Sequence, residues 1–169
     1  MTPELIKSLA PVAFAALVIF AAVRDLSTFT IPNWISGALA LAFLPAALLV
    51  HIPLPDFGWH IAIGAVTLVL AAVMFALGWI GGGDAKLAAA ASLWLAPNIT
   101  TIAQFLITTA LAGGALAVSL MALLSAWLRP LTVLGPSWTR RLATPGESAH
   151  YGVAIAIGAL AAFAAQPLV

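Results

Sequence analysis

Residues 81–87, Gly-Gly-Gly-Asp-Ala-Lys-Leu, decide how this sequence folds, because they separate two apolar runs with glycines and charges. The run before them, residues 59–80, is long enough to cross about 30 Å of hydrocarbon as one helix. A second apolar run, residues 86–97, overlaps their end. Ionisable side chains near membrane depth are costly and mark candidate functional sites, so Asp84 is the first such candidate.

The composition of the whole chain is that of a membrane protein. Of its 169 residues, 64% are apolar and 7% are charged, whereas a soluble domain carries about 25% charged residues. This excludes an ordinary cytoplasmic enzyme, a nucleic-acid binder and a disordered protein. The chain has no cysteine, which excludes a disulfide framework, a thiolate zinc site, an iron–sulfur cluster and a cysteine nucleophile.

Six apolar runs predict an all-α, polytopic membrane helical bundle of about six transmembrane helices. The first run is followed by Arg24, which is the wrong side for the basic residue of a cleaved signal peptide, so we predict a retained helix. Residues 1–169 are predicted to form a single integral-membrane domain with no soluble domain. The predicted spans are residues 9–23, 31–50, 59–80, 86–97, 99–128 and 151–165.

The basic residues predict the orientation of this bundle. Cytoplasmic loops of membrane proteins carry an excess of lysine and arginine. If the loops after the first, third and fifth spans lie in the cytoplasm, they hold every lysine and arginine of the chain except Lys7. This arrangement places the N-terminus and the C-terminus outside. Residues 129–150 are predicted to form an interfacial loop at the inner face. The five inner basic residues are Arg24, Lys86, Arg129, Arg140 and Arg141.

Two of the five acidic residues are predicted to share one depth in the membrane. Asp25 follows the first span and Asp84 follows the third, so both carboxylates arrive at the cytoplasmic face. Two carboxyl groups in contact do not both ionise, and the resulting acid–base pair is the arrangement of aspartic proteases. The alternative is that each is an ordinary helix-end residue, paired with Arg24 or with Lys86.

The glycines before Asp84 support a site for a peptide. Glycine adopts conformations closed to other residues and lets a second backbone lie close by; the alternative is a flexible loop between helices. No metal site or cofactor is predicted, because the histidines do not cluster along the predicted topology. His51 and His60 are expected outside, and His150 inside. Glu4, Asp56 and Glu147 are predicted to be solvated surface residues.

Three motifs resemble those of the type IV prepilin peptidases, polytopic aspartic proteases of the bacterial inner membrane. Residues 81–87 are similar to their GxGDxKL signature. Residues 24–33 (RDLSTFTIPN) resemble their first motif, an aspartate followed by a short spacer and Ile-Pro-Asn. Residues 151–156 (YGVAIA) resemble the opening of their last helix. His150 stands where relatives commonly have proline, which leaves the catalytic residues unaffected.

The resemblance implies that Asp25 and Asp84 are the catalytic pair. Lys86 is expected to orient the loop or contact lipid phosphate, or simply to snorkel to the interface. Asn33 is expected to cap its helix, with a hydrogen bond near the site as the alternative. The supporting motif residues are Gly81, Gly83, Lys86, Ile31, Pro32 and Asn33.

In its short spacer between Asp25 and Ile31 and in its lack of cysteine, the chain is similar to the short form of this family that serves tight-adherence (Flp-type) pili. The resemblance implies cleavage, after a glycine at the cytoplasmic face, of a prepilin substrate with a basic leader and a hydrophobic helix. Membrane lipid is the other expected partner, and no nucleic acid is expected.

Two other functions stay open from the sequence. A small proton-coupled carrier would also hold acids in a helical bundle, but nearer the midplane and often with repeat symmetry. A non-catalytic membrane subunit of a secretion machine would retain the motifs without the chemistry.

Overall fold

The computed structural model describes residues 3–123 and 151–166, and all the regular secondary structure in these two segments is helical. The predicted all-α membrane bundle is therefore confirmed. Its helices are α1 (Pro3–Thr28), α2 (Asn33–Leu49), α3 (Leu54–Ala76), α4 (Gly82–Ser92), α5 (Ile99–Leu123) and α6 (Tyr151–Ala165).

The helices differ in how much of a membrane they can cross. Three apolar stretches are long enough by length and composition, namely Leu9–Thr28, Leu54–Ala76 and Ile99–Ser119. Asn33–Leu49 and Tyr151–Ala165 are apolar but shorter. The 11 residues of α4 extend only about 16 Å. This short helix therefore does not traverse the hydrocarbon by itself, and the six-crossing topology stays a prediction.

The helices that flank the glycines begin and end earlier than predicted. Pro53 is the N-cap of α3, so that helix begins ahead of the expected residue 59. Gly78, whose φ is +75°, follows the helix end at Ala76 in the left-handed conformation that terminates helices. Helix α4 begins at Gly82 rather than at residue 86, because Gly81 serves as its N-cap. Asp84 thus lies within a helix and not in a loop.

Helix α4 lies at the centre of the described helices, packed mainly against α2, α3 and α6. Its residues from Asp84 to Ser92 are buried, Lys86 excepted. Most of them are alanines, and small side chains let neighbouring helices approach closely. Two side-chain hydrogen bonds hold the C-terminal end of α4 against its neighbours. His60 Nδ1 donates to the carbonyl of Leu93 at 2.8 Å, and Trp94 Nε1 donates to that of Leu39 at 2.9 Å.

Helices α5 and α6 form the most extensive pair in the described structure. A Cβ at Gly158 would lie 2.9 Å from the carbonyl oxygen of Phe105 and 3.0 Å from the amide of Thr109. The two backbones therefore meet where α6 has no side chain. Gly113 faces the ring of Tyr151, and α5 continues through it as one helix.

Replacing Gly158 by alanine should weaken this helix pair. The added methyl would meet backbone atoms that cannot rotate away, and overpacking of this kind costs about 1–3 kcal/mol. Gly114→Ala is the matched control, because a Cβ there would meet nothing within 4 Å and alanine favours helix by about 1 kcal/mol. Thermal unfolding in detergent should separate the two variants. Equal melting temperatures would contradict the close approach of α5 and α6.

Candidate active site

A cavity of about 200 Å³ lies between the end of α1, the segment that follows it and the start of α4. We call it the site cavity. Both acids singled out from the sequence line it, and each is only 6% exposed. The structure thus brings Asp25 and Asp84 together from positions far apart in the chain. The full lining is Asp25, Phe29, Thr30, Ile31, Gly81, Gly82, Gly83 and Asp84.

Asp25 belongs to the buried face of α1. Phe14, Val18 and Ala21 are fully buried on this helix, and the steps from one to the next continue to position 25 with helical spacing. The carboxylate is therefore held by a face that is otherwise packed with apolar side chains. This position on the inner stripe of α1 explains why Asp25 is directed into the bundle rather than into solvent.

Asp84 is held by the first turn of α4. Its Oδ2 accepts a hydrogen bond from the backbone N–H of Gly81 at 3.1 Å, which satisfies one of the donors that a helix start leaves unpaired. A carboxylate is also favoured near the positive end of the helix dipole. The charge of Asp25 acts directly on Asp84. The two carboxyl groups are therefore near enough to interact electrostatically.

Gly81 and Gly83 are needed for close approach, and not for unusual backbone angles, which was the other reason for glycine that the sequence suggested. The φ of Gly81 is −74°, which any residue adopts. A Cβ at Gly81 would lie 2.9 Å from Oδ2 of Asp84, and one at Gly83 would lie 3.0 Å from the carbonyl oxygen of Ile31. The start of α4 can therefore reach the segment after α1 only without a side chain at Gly83, while a side chain at Gly81 would crowd the carboxylate of Asp84.

Residues 29–31 form the opposite wall of the site cavity. Phe29 has a φ of +57°, a left-handed conformation that is rare for a bulky residue and recurs at functional sites. Its N–H donates to the carbonyl of Asp25 at 2.9 Å, so it ends α1 and turns the chain toward Ile31. The sequence did not identify Phe29 and Thr30 as residues of the site, because neither residue type is typical of a cavity lining.

The predicted capping role of Asn33 is wrong. Pro32 is the N-cap residue of α2, and no side chain caps that end. The Oδ1 of Asn33 instead accepts a hydrogen bond from Nζ of Lys86 at 2.8 Å. This bond joins the start of α2 to the first turns of α4. Lys86 therefore links the two motifs that carry Asp25 and Asp84.

The sequence also did not reveal that Gly152 lies against the site. A Cβ there would lie 2.6 Å from Cδ1 of Ile31 and 2.9 Å from Oδ2 of Asp25. The first turn of α6 thus lies directly against the carboxylate. Its position in the Tyr-Gly pair that opens the last apolar run was a visible signal, but the sequence does not tell which residue the glycine approaches.

The remaining candidates lie away from the site cavity. His51, His60 and Asp56 line a second cavity of about 410 Å³ at the start of α3, so the two histidines that were expected on the same side of the membrane lie near each other. Within the described part of the chain, no three His, Asp or Glu side chains are placed to hold a metal ion. Predictions for Arg129, Arg140, Arg141, Glu147 and His150 lie outside the described residues, as do those for the side chains of Glu4 and Lys7.

The fold and the cavity together define a class, namely membrane proteins that hold paired carboxyl groups at the ends of packed helices. The comparison with known families is more specific. Residues 12–118 match the type IV leader peptidase family, and the chain belongs to this family, so it is a membrane protease. The matched region contains both carboxylates and ends before α6. No curated protein and no solved structure matches the chain.

Gly152→Ala should lower peptidase activity by about tenfold or more, since displacement of a catalytic group by even 1 Å is costly. The new methyl would push against Oδ2 of Asp25 and Ile31. Gly37→Ala is the control, because a Cβ there would meet nothing within 4 Å. Initial rates of leader cleavage would be compared at matched protein levels. Full activity of the Gly152 variant would show that α6 does not press on the carboxylate.

Lys86→Met and Asn33→Ala should have non-additive effects on cleavage, because each removes the same hydrogen bond. Both residues are exposed, so a coupling free energy of about 0.5–1 kcal/mol is expected. A double-mutant cycle on cleavage rates measures it. Lys7→Met provides a lysine control at the other end of α1. Strictly additive effects would mean that the Lys86–Asn33 bond does not orient the site.

Proposed function

We propose that this protein is an aspartic endopeptidase that removes the leader peptide of prepilin-like substrates at the cytoplasmic face of the bacterial inner membrane. The observation that carries the proposal is the placement of Asp25 and Asp84 on one small cavity. Membership of the leader peptidase family supports the reaction class. No cofactor is needed for the chemistry described below.

The proposed reaction uses the two carboxyl groups in opposite protonation states, which is the state that closely spaced carboxyl groups favour. The ionised group takes a proton from a water molecule as the water oxygen bonds to the carbonyl carbon of the scissile peptide. The protonated group gives its proton to the carbonyl oxygen. The carbon–nitrogen bond then breaks, the departing amine takes a proton from the first group, and the new carboxyl product returns one to the second.

The glycine wall supports a peptide as the substrate. A scissile bond must be unwound before it can be attacked, and an extended strand needs space beside the carboxylates. Gly81, Gly82 and Gly83 line one side of the site cavity without side chains. The N–H groups of Gly82 and Gly83 lie in the first turn of α4, where the helix leaves backbone donors without an intrahelical partner. This wall accommodates an extended backbone next to Asp84.

The cytoplasmic position of the site follows from the proposed orientation. With both termini outside, the end of α1 and the start of α4 meet at the inner face, where the positive-inside rule also places Arg24 and Lys86. Water reaches this depth, as hydrolysis requires. The short chain without cysteine supports a substrate of the tight-adherence (Flp) type. It would carry a basic leader in the cytoplasm and an apolar helix in the bilayer.

The location of the carboxylates favours a protease over a proton-coupled carrier. A carrier would be expected to hold its acids near the membrane midplane, between broken helices. Asp25 instead lies in the last turns of α1 and Asp84 in the first turn of α4. The non-catalytic assembly subunit is distinguished from the protease by the cleavage experiment.

Asp25→Asn and Asp84→Asn should each abolish leader cleavage, since neither acid–base role can be filled by an amide. A co-expressed Flp-type prepilin would be followed by the shift in its mobility and by the N-terminal sequence of the product. Asp56→Asn is the matched control, because Asp56 is exposed in the first turn of α3 and should leave cleavage unchanged.

Three outcomes would contradict the proposal. Cleavage that survives in either single variant of the pair would exclude a two-carboxylate mechanism. Loss of cleavage in Asp56→Asn would move the chemistry to the other end of α3. A folded wild-type protein that cleaves none of several leader-bearing prepilins would favour the non-catalytic subunit.

A further inference from the structure

An apolar groove runs along the bundle outside the site cavity. Helices α3 and α5 form its walls, while α4 and α6 form its floor, and its volume is about 510 Å³. The main packing of α3 is with α4 and that of α5 is with α6, which leaves the two walls apart. On α3 the lining extends from Trp59 to Met74, a length of about 22 Å along the helix axis.

The lining of the groove suits a helix. Small residues occur on three of the four helices, among them Ala62 on α3, Ala88 on α4 and Ala110 on α5. Surfaces of small residues let a second helix pack closely inside a membrane, where dispersion contacts rather than hydrophobic burial drive association. Thr67 and Thr109 also line the groove, so the surface is apolar with a few hydroxyl groups.

The groove ends where the site cavity begins. Ile80 lines the groove and the next residue, Gly81, lines the site cavity. Tyr151 lines the groove, and the neighbouring Gly152 lies against Asp25. Ile80 and Tyr151 also pack in one buried cluster with Ala71 and Ala85. The site cavity and one end of the groove therefore lie next to this cluster, on neighbouring residues of the chain.

We propose that the apolar groove is the docking surface for the transmembrane helix of the substrate. This inference rests on the proposed function, and it adds the place where the substrate is held. A peptide cleaved in the site cavity leaves it in two directions. The polar part returns to water, and the part that belongs to the bilayer needs a helical, apolar path. The groove offers such a surface, and one of its ends lies beside the site cavity.

Cysteine cross-linking tests this occupant directly, because the chain contains no cysteine of its own. Val66→Cys places a thiol in the groove. Val69→Cys is the matched control, since Val69 lies on the same helix, is similarly exposed (63% against 59%) and does not line the groove. Each would be combined with Asp84→Asn, to keep the substrate intact, and with a prepilin carrying one cysteine in its apolar helix.

The expected result is a disulfide to the substrate helix from position 66 and little or none from position 69, since the two Cα atoms must come within about 7 Å. Equal cross-linking from both positions, or none from either, would overturn the groove as the docking surface. The second result is also expected if a lipid acyl chain or residues 124–150 of this protein fill the groove. Cross-linking reports occupancy without cleavage, so its failure is distinguishable from failure of the proposed function.

A blocking variant gives the independent functional readout. Val66→Trp should lower cleavage of the full prepilin by about tenfold or more, whereas Val69→Trp should not. A short leader peptide without the apolar helix serves as the second substrate, and both variants should cleave it at the wild-type rate. Equal loss with both substrates, or no loss with the full prepilin, would contradict docking in the groove.

Discussion

The burial of a short, alanine-rich helix among longer ones is the constraint on which this structure depends. Helix α4 has 11 residues, too few to cross a membrane, and it is enclosed mainly by α2, α3 and α6. Because its side chains are small, the neighbours pack against its backbone from several sides. Its start is consequently fixed in depth within the bundle, and with it the carboxylate of Asp84. The position of the carboxyl pair is thus a result of helix packing.

The site depends on glycines, which have no side chain, as much as on its carboxyl groups. Gly83 allows α4 to touch the backbone of Ile31, and Gly152 allows α6 to touch Asp25. A Cβ at either position would enter space that another residue occupies. The carboxyl pair is therefore positioned by the close contact of three parts of the chain: the end of α1 with the segment after it, the start of α4 and the start of α6. The Lys86–Asn33 bond adds a polar link between the two motif segments.

The sequence predicted the helical bundle and the meeting of Asp25 with Asp84 because both depend on local patterns. Apolar runs have the length of helices, and acids at run ends share a depth once the runs are stacked. It did not predict the start of α4, because three glycines are typical of a loop and here form an N-cap and a first turn. It did not predict the bond of Asn33 to Lys86 either, since that pairing is set by how two helices pack and not by their spacing.

The buried alanines of α4 also limit how such a sequence can diverge. Ala90 and Ala91 are buried in the core of the bundle, so larger side chains at these positions would meet neighbouring helices. Outer residues of α3 and α5 such as Val69 and Leu111 are largely exposed and can be exchanged for other apolar residues at little cost. Substitutions should therefore accumulate on the periphery of the bundle while its centre changes slowly. Two chains of this architecture can then differ over most of their length and still share the helix that carries Asp84.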